Sequence, residues 1–397
     1  MQQSARVLPP LDFDGLRPPS PFMTEAHALW CARVRDFVTR EIEPDLASWE
    51  ASGTFPDSVY ESAARAGLLG VGFPERLGGN TEQADPYYRV IFSEEMHRPG
   101  AGVVFADLAT HWIGLPPVVQ FGDPGLQEAI ARPVLAGKRK IAFAVTEPGG
   151  GSDAGALRTS AERRDGQWIV NGAKTLISGA LRADCILTAV RTGAAGAGGI
   201  SLLLIDAASA GIERRVVPGL RWYNSSIGTI EFRDVRVPLD RLIGPENKGF
   251  AGLAKQFNIE RLSGIAATLA MSRTALAEAI AWAQQREAFG KKLVEHQALR
   301  HKLVDAVRSI RVAYAYLDQC IWRLQQGDSA VADIAMLKVQ ATRTLEHVAR
   351  DAMHVLGQHA YSGANRVERI YREARIFAIG GGTEEILNDL AARQLGL

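Results

Sequence analysis

The sequence predicts an α+β chain of three successive parts: helical, then β-rich, then helical again. Three observations carry this. Over 24–140 apolar residues recur at helical spacing. Between 141 and 238 they form short runs punctuated by tight-turn dipeptides. From Gly249 onward they return to steps of three and four over long distances. The 397 residues allow two or three domains and a sizeable core.

The elements follow in order. Residues 1–23 hold Pro9, Pro10, Pro18 and Pro19 and lack an apolar stretch followed by a cleavage site, so they read as a disordered or draping arm. The N-terminal helical domain, 24–140, opens with Leu29, Val34, Phe37 and Val38 at helical spacing. Asp57, after Pro56, is placed to cap a helix that stops near Gly67. Further helices run from Asp85 to Arg98 and from Asp123 to Ala136. The middle β-domain, 141–248, begins with the apolar run Ile141 to Val145, which ends at a Pro-Gly-Gly-Gly loop. Asp165-Gly166 and Asn171-Gly172 are dipeptides that hairpin turns select. Cys185 to Val190 and Ile200 to Ile205 read as strands. Between them, 193–199 is all Gly and Ala; it opens no helix and has no Lys-Ser/Thr ending, so it reads as a flexible hairpin and not a phosphate loop. Ile230, Phe232, Val235 and Val237 belong to a last strand ending at Pro238. In the C-terminal helical domain, 249–397, one buried stripe runs from Val331, Ile334 and Leu337 to Ala352 and Val355, as in a bundle. Val294 to Leu324 is its partner, joined by a turn at Gly327-Asp328 with Asp328 as cap.

Composition excludes several classes. Lys plus Arg total 45 against 44 for Asp plus Glu, so no broad field favours nucleic acid or an anionic membrane. No apolar run reaches the length of a membrane span. Cys31, Cys185 and Cys320 are too few and too far apart for a disulfide framework or a zinc site, which points to a reducing cytoplasm and no metal. His301 and His347 read as solvent-facing helix residues.

Four clusters can carry chemistry. In Thr146-Glu-Pro-Gly-Gly-Gly-Ser152-Asp, glycines bare the backbone N–H groups to an anion, and Thr146 and Ser152 add hydroxyls; a plain inter-strand loop is the alternative. Asn171 to Ser178 feeds a short strand ending in a hydroxyl, which most structural strands could also do. Arg286 to Gln297 links two long helices; its Arg can bind a pyrophosphate or simply sit exposed at a helix end. In Ile379-Gly-Gly-Gly-Thr383-Glu-Glu385, Thr383 caps a helix whose first turn is acidic, and three glycines precede it.

Together these clusters resemble the acyl-CoA dehydrogenase family, from about Thr24 to the C-terminus. The resemblance implies an N-terminal helical domain, a β-barrel-like middle domain and a C-terminal four-helix bundle. FAD would lie between the last two and reach the neighbouring subunit of a homotetramer, or at least a dimer. Thr146 would bond the flavin's pyrimidine edge and Ser152 the pyrophosphate and substrate. Leu176, Ile177 and Ser178 would border the isoalloxazine. Arg286, Phe289, Gln297, Gly357, Thr383 and Glu385 would hold the adenosine diphosphate half. The implied reaction oxidises the α,β bond of an acyl-CoA, with hydride passing to flavin N5 and electrons to an electron-transfer flavoprotein. An oxygen-using oxidase and an inactive flavin-binding scaffold are the competing readings.

Many family members carry the catalytic Glu two residues before the Thr of the last motif, where this chain has Gly381. A smaller branch carries it on the first bundle helix before an Arg, and here Glu260-Arg261 stands there. Glu260 is therefore expected as the base, with Gly381 giving its backbone N–H to the thioester oxygen and Arg261 flanking the substrate or bracing the bundle. A surface ion pair is the alternative for Glu260. The chain departs from the family pattern at His354, Gln358 and Gly179, and loosely along 219–226, near the expected carrier end of the thioester.

Overall fold

The computed structural model of the chain describes residues 10–217, 226–362 and 365–397. The chain has an N-terminal helical, a middle sheet-rich and a C-terminal helical domain. It falls into two compact units, one of the chain up to Cys31 with Ser93–Ala101 and Arg261–Leu397, the other of Ala32–Phe92 with Gly102–Glu260.

Helix α1 (Glu25–Phe37) buries Trp30, Val34 and Phe37. Leu29 is exposed, so the buried stripe runs through Trp30 instead. Next come α2 (Leu46–Ser52) and α3 (Ser58–Arg65). Asp57 stands before α3, but its side chain caps nothing. Its carboxylate accepts from Lys140 Nζ at 2.9 Å and Arg182 Nη1 at 2.8 Å, because two cations outbid a backbone amide. α4 (Pro86–His97), α5 (Val103–Leu108), α6 (His111–Phe121) and α7 (Pro124–Leu135) complete the domain. Pro116 and Pro117 lie inside α6 and hide it from sequence reading. Asp123 caps α7, accepting the Gly125 and Leu126 N–H groups at 2.9 and 3.1 Å.

The middle sheet contains β1 (Ile141–Ala144), β2 (Ser160–Arg164), β3 (Gln167–Ile177), β4 (Cys185–Arg191), β5 (Ile200–Asp206), β6 (Ile212–Val216), β7 (Gly228–Pro238) and β8 (Leu242–Ile243). The order is β6-β7-β3-β2-β4-β5-β8, with β1 parallel to β4. Asp165 and Gly166 make the expected β2–β3 turn, both left-handed at φ 51° and 72°.

Asn171-Gly172 is not a turn. It lies inside β3, where the register against β7 shifts. A Cβ on Gly172 would lie 2.6 Å from Thr159 Cα, so this glycine serves close approach. Across the irregularity, Asn171 Nδ2 donates to Asp234 Oδ1 at 3.0 Å, and Asp234 N–H donates to Asn171 Oδ1 at 2.8 Å. Asp234 has φ 49°, and this extra residue keeps Phe232 and Val235, three apart, both in the core. Nor is β7 the last strand, since β8 pairs with β5.

The C-terminal part consists of α8 (Gly249–Gln285), a hairpin of β9 (Glu287–Ala288) and β10 (Lys291–Lys292), then α9 (Gln297–Gln325), α10 (Val331–Leu356), α11 (Gln358–Tyr361), α12 (Arg366–Phe377) and α13 (Glu384–Leu395). α10 packs against α9, α12 and α13 and buries the expected stripe from Ile334 to Val355. Each such side chain contributes roughly 1.5–3 kcal/mol. Ala330, not Asp328, begins α10; Asp328 instead holds Arg323 and the Ala330 N–H.

The arm drapes onto the same unit from residue 10 onward, with Leu16 and Phe13 buried. Arg273, itself buried, donates to the Phe13 carbonyl at 2.8 Å, while Arg17 pairs with buried Glu94 at 3.0 Å. Among the described residues no helix is long and apolar enough to cross a membrane, and none of the three cysteines is in a disulfide.

Candidate active site

Beyond β1 the chain turns at Glu147, whose N–H and C=O exchange hydrogen bonds with Gly150 at 3.2 and 3.0 Å. The Thr146 carbonyl accepts the Thr175 N–H at 2.9 Å, which brings the first two clusters together. The N–H groups of Gly149, Gly151 and Ser152, and the hydroxyls of Thr146 and Ser152, have no hydrogen-bond partner among the described residues. A Cβ on Gly149 or Gly150 would meet nothing within 4 Å. The loop thus presents bare donors to an anion.

A buried ion pair, which sequence reasoning missed, supports this loop. Lys174 Nζ donates to Glu147 Oε1 and to the Val145 carbonyl, both at 2.9 Å. Burial by itself would raise the Glu147 carboxyl, but donors from Thr159, Lys174 and Arg158 outweigh it and hold the group down to about 2. Burial pulls the Lys174 ammonium down to about 8 despite its partner. Glu147 lies 27 residues before Lys174 in the sequence, so no local pattern could reveal the pair.

At the end of β3, Leu176 adopts φ 56° and is 49% exposed, whereas the Ile177 side chain lies in the sheet's core. Ile177 can therefore border a ligand only through its backbone. The half-buried Ser178 hydroxyl has no partner among the described residues. Beneath it, the Gly179 position (φ 76°) packs on Thr110; a Cβ there would lie 3.2 Å from Thr110 Cγ2. Asp107 is fully buried nearby; its Oδ2 accepts the Ser226 N–H at 3.3 Å and lies 3.9 Å from Arg182 Nε. Its Oδ1 has no hydrogen-bond partner among the described residues, and burial pushes the carboxyl up to about 6 against the pull of Ser226 and Arg182. The stretch 219–225, including Trp222 and Tyr223, lies outside the described residues.

In the C-terminal unit, Gly381 and Gly382 are left-handed, with φ 71° and 111°. Arg261 Nε donates to the Gly381 carbonyl at 3.1 Å, and Lys338 Nζ to the Gly382 carbonyl at 2.7 Å. The N–H groups of Gly381, Gly382 and Thr383 have no partner among the described residues, and a Cβ on Gly381 would meet nothing within 4 Å. Thr383 caps α13 through the Ile386 N–H at 3.4 Å. Glu384 pairs with Arg343, and Glu385 is exposed. Glu260 is half-buried on α8, one residue before Arg261.

Arg286, Phe289 and Gln297 are all exposed on or beside the hairpin. Phe289, 97% exposed with φ 52°, forms the tip with Gly290. Gly357 (φ 58°) breaks α10 from α11, and His354 and Gln358 beside it are exposed. His301 is exposed and His347 half-buried beside Asp351. Among the described residues, no cluster of His, Cys, Asp and Glu could hold a metal ion. Within the middle domain, the N–H groups and hydroxyls at 146–152 and Ser178 that lack partners among the described residues fit a ligand with an anionic part and a polar heterocycle, as FAD has.

Residues 24–138, 142–235 and 247–396 match the N-terminal, middle and C-terminal domains of acyl-CoA dehydrogenase. A structure described as a "probable acyl CoA dehydrogenase" from Mycobacterium abscessus is 41% identical, with TM-score 0.90, covering 94% of this chain and 100% of that one. Acyl-CoA dehydrogenase AFT10-1 of Alternaria alternata is 32% identical over 402 residues, 95% of this chain and 93% of its own. The caffeyl-CoA reductase-Etf complex subunit CarC of Acetobacterium woodii is 29% identical over 369 residues, 92% of this chain and 97% of its own. With all three domains present in order on this fold, the chain belongs to the acyl-CoA dehydrogenase family of FAD-dependent oxidoreductases.

Proposed function

We propose that the chain oxidises the α,β bond of an acyl-CoA to the 2-enoyl-CoA, with Glu260 as the base. The observation that supports this best is the turn at Gly381: it carries no carboxylate, its carbonyl is taken by Arg261, and its N–H has no partner among the described residues. Glu260, adjacent to Arg261, supplies the missing carboxylate. It takes the α-proton, while the Gly381 N–H donates to the thioester oxygen and stabilises the negative charge that grows there. Bound FAD supplies the acceptor for the β-hydride. Thr146, Leu176, Ile177 and Ser178 hold the flavin, Ser152 its pyrophosphate and the substrate's polar end, and Arg286, Phe289, Gln297, Gly357, Thr383 and Glu385 the adenosine diphosphate. The exposed Phe289 hairpin supports assembly into a homotetramer, or at least a dimer. An electron-transfer flavoprotein is the proposed acceptor; the name of the A. woodii relative places such a partner beside a similar chain. Three cysteines outside any disulfide are consistent with the cytoplasm.

The test is anaerobic flavin bleaching against short, long, branched and aromatic acyl-CoAs. Wild-type protein should bleach with at least one and stay bleached in air; rapid recolouring would mark an oxidase instead. Glu260→Gln should retain FAD and bind the same thioester but reduce the flavin about 10²–10⁴-fold more slowly. Reduction at the wild-type rate would move the base elsewhere, to Glu384 or Glu385.

A further inference from the structure

A second cation at the glycine turn has no role in the reading above. Lys338 lies on α10, whose Ala335 and Val339 form a small apolar cluster with Leu387 and Ala391, and it is almost wholly buried. Desolvating an ammonium is expensive, and a methionine would fill that space without the penalty. There it donates to the Gly382 carbonyl at 2.7 Å.

We propose that Lys338 is a positioning residue that, with Arg261, clamps the two peptide planes that follow the Gly381 N–H, so that the glycine turn presents that N–H to the thioester oxygen before the proton leaves. This rests on the proposed role of that N–H. Adjacent glycines have the greatest backbone freedom of any pair, so an aimed N–H between them needs external restraint. The restraints run in order along the chain. The Gly380 N–H is tied to the Ile376 carbonyl at 2.8 Å, and the Gly381 carbonyl to Arg261 at 3.1 Å. The Gly382 carbonyl is tied to Lys338, and Thr383 is tied into α13 by its cap. The peptide planes on either side of the one that bears the Gly381 N–H are thus held, while the N–H groups of Gly381, Gly382 and Thr383 have no partner among the described residues. Charged donors hold a carbonyl more firmly than neutral ones, and two cations at one turn also favour a developing oxyanion.

The test uses the FAD-loaded enzyme with Lys338→Met and Lys338→Gln. Infrared difference spectra are taken with crotonyl-CoA, 2-hexadecenoyl-CoA and cinnamoyl-CoA, each ¹³C-labelled at the carbonyl. In wild type the carbonyl stretch of a bound probe should fall below its free value. Lys338→Met should return part of that shift and lower kcat about 10–100-fold, with KM changed by less than about threefold. Lys338→Gln, which keeps an N–H donor but no charge, should lie between. Wild-type kcat and an unchanged stretch in both variants would overturn the clamp. No shift in wild type would instead remove the role of the Gly381 N–H, and the clamp with it. Failure of both variants to form holoenzyme would assign Lys338 to packing alone and also overturn it.

Discussion

Removing Lys174 should expose how the donor loop is held. The Glu147 carboxyl sits at about 2 against an ordinary 4.5, a gain of about 3 kcal/mol when folding. The Lys174 ammonium sits at about 8 against 10.5, a loss of about the same size. The two halves nearly cancel, as buried pairs often do, so the intact pair adds little net stability. Breaking it is different. Lys174→Met leaves Glu147 buried with only the Arg158 and Thr159 N–H donors, at 2.7 and 2.8 Å, and strips the Val145 carbonyl of its partner. Losing one buried partner typically costs 3–5 kcal/mol, and the two remaining donors bring the expectation to about 2–3 kcal/mol. The double variant Lys174→Met/Glu147→Gln should return to within about 1 kcal/mol of wild type. Urea unfolding at pH 7, with FAD retention measured alongside, reads both.

The pH dependence has a definite sign. The favourable Glu147 part is present above pH 4.5 and fades as pH falls towards 2; the unfavourable Lys174 part is present below pH 8 and is relieved as pH rises from 8 to 10.5. The double variant should lose both slopes. A single variant as stable as wild type, or a double variant no better than the single, would refute this account of the pair.

Two further outcomes are expected. Asp107 has a raised carboxyl, at about 6 against 3.8, so its charge costs stability above pH 6, and the cost disappears as pH falls below 3.8. Asp107→Asn should therefore be about 1–3 kcal/mol more stable than wild type at pH 7.5 and equal to it near pH 4, read by urea midpoints; parallel pH profiles would contradict this. Phe289→Ala should leave subunit stability within about 0.5 kcal/mol, since the ring touches little within its own chain, yet weaken assembly and FAD retention on dilution. Light scattering with cofactor release measures both, and unchanged mass and retention would remove Phe289 from the proposed interface.

The sequence by itself determined what short-range chemistry encodes. The stripe from Ile334 to Val355 specified a long buried helix, Thr383 a cap, Asp165-Gly166 a hairpin turn, and the ordered motifs from Thr146 to Glu385 the family. Each of these depends on residues within a turn or two of one another. Only the tertiary structure decided that Asn171-Gly172 is a strand irregularity facing Asp234, and that Asp57 serves Lys140 and Arg182. It also decided that Glu147 and Lys174 are buried together, and that Lys338 reaches Gly382 from 44 residues away. A side chain with several possible partners takes the one that folding brings close with the most charge and the least water, and no local pattern specifies that choice.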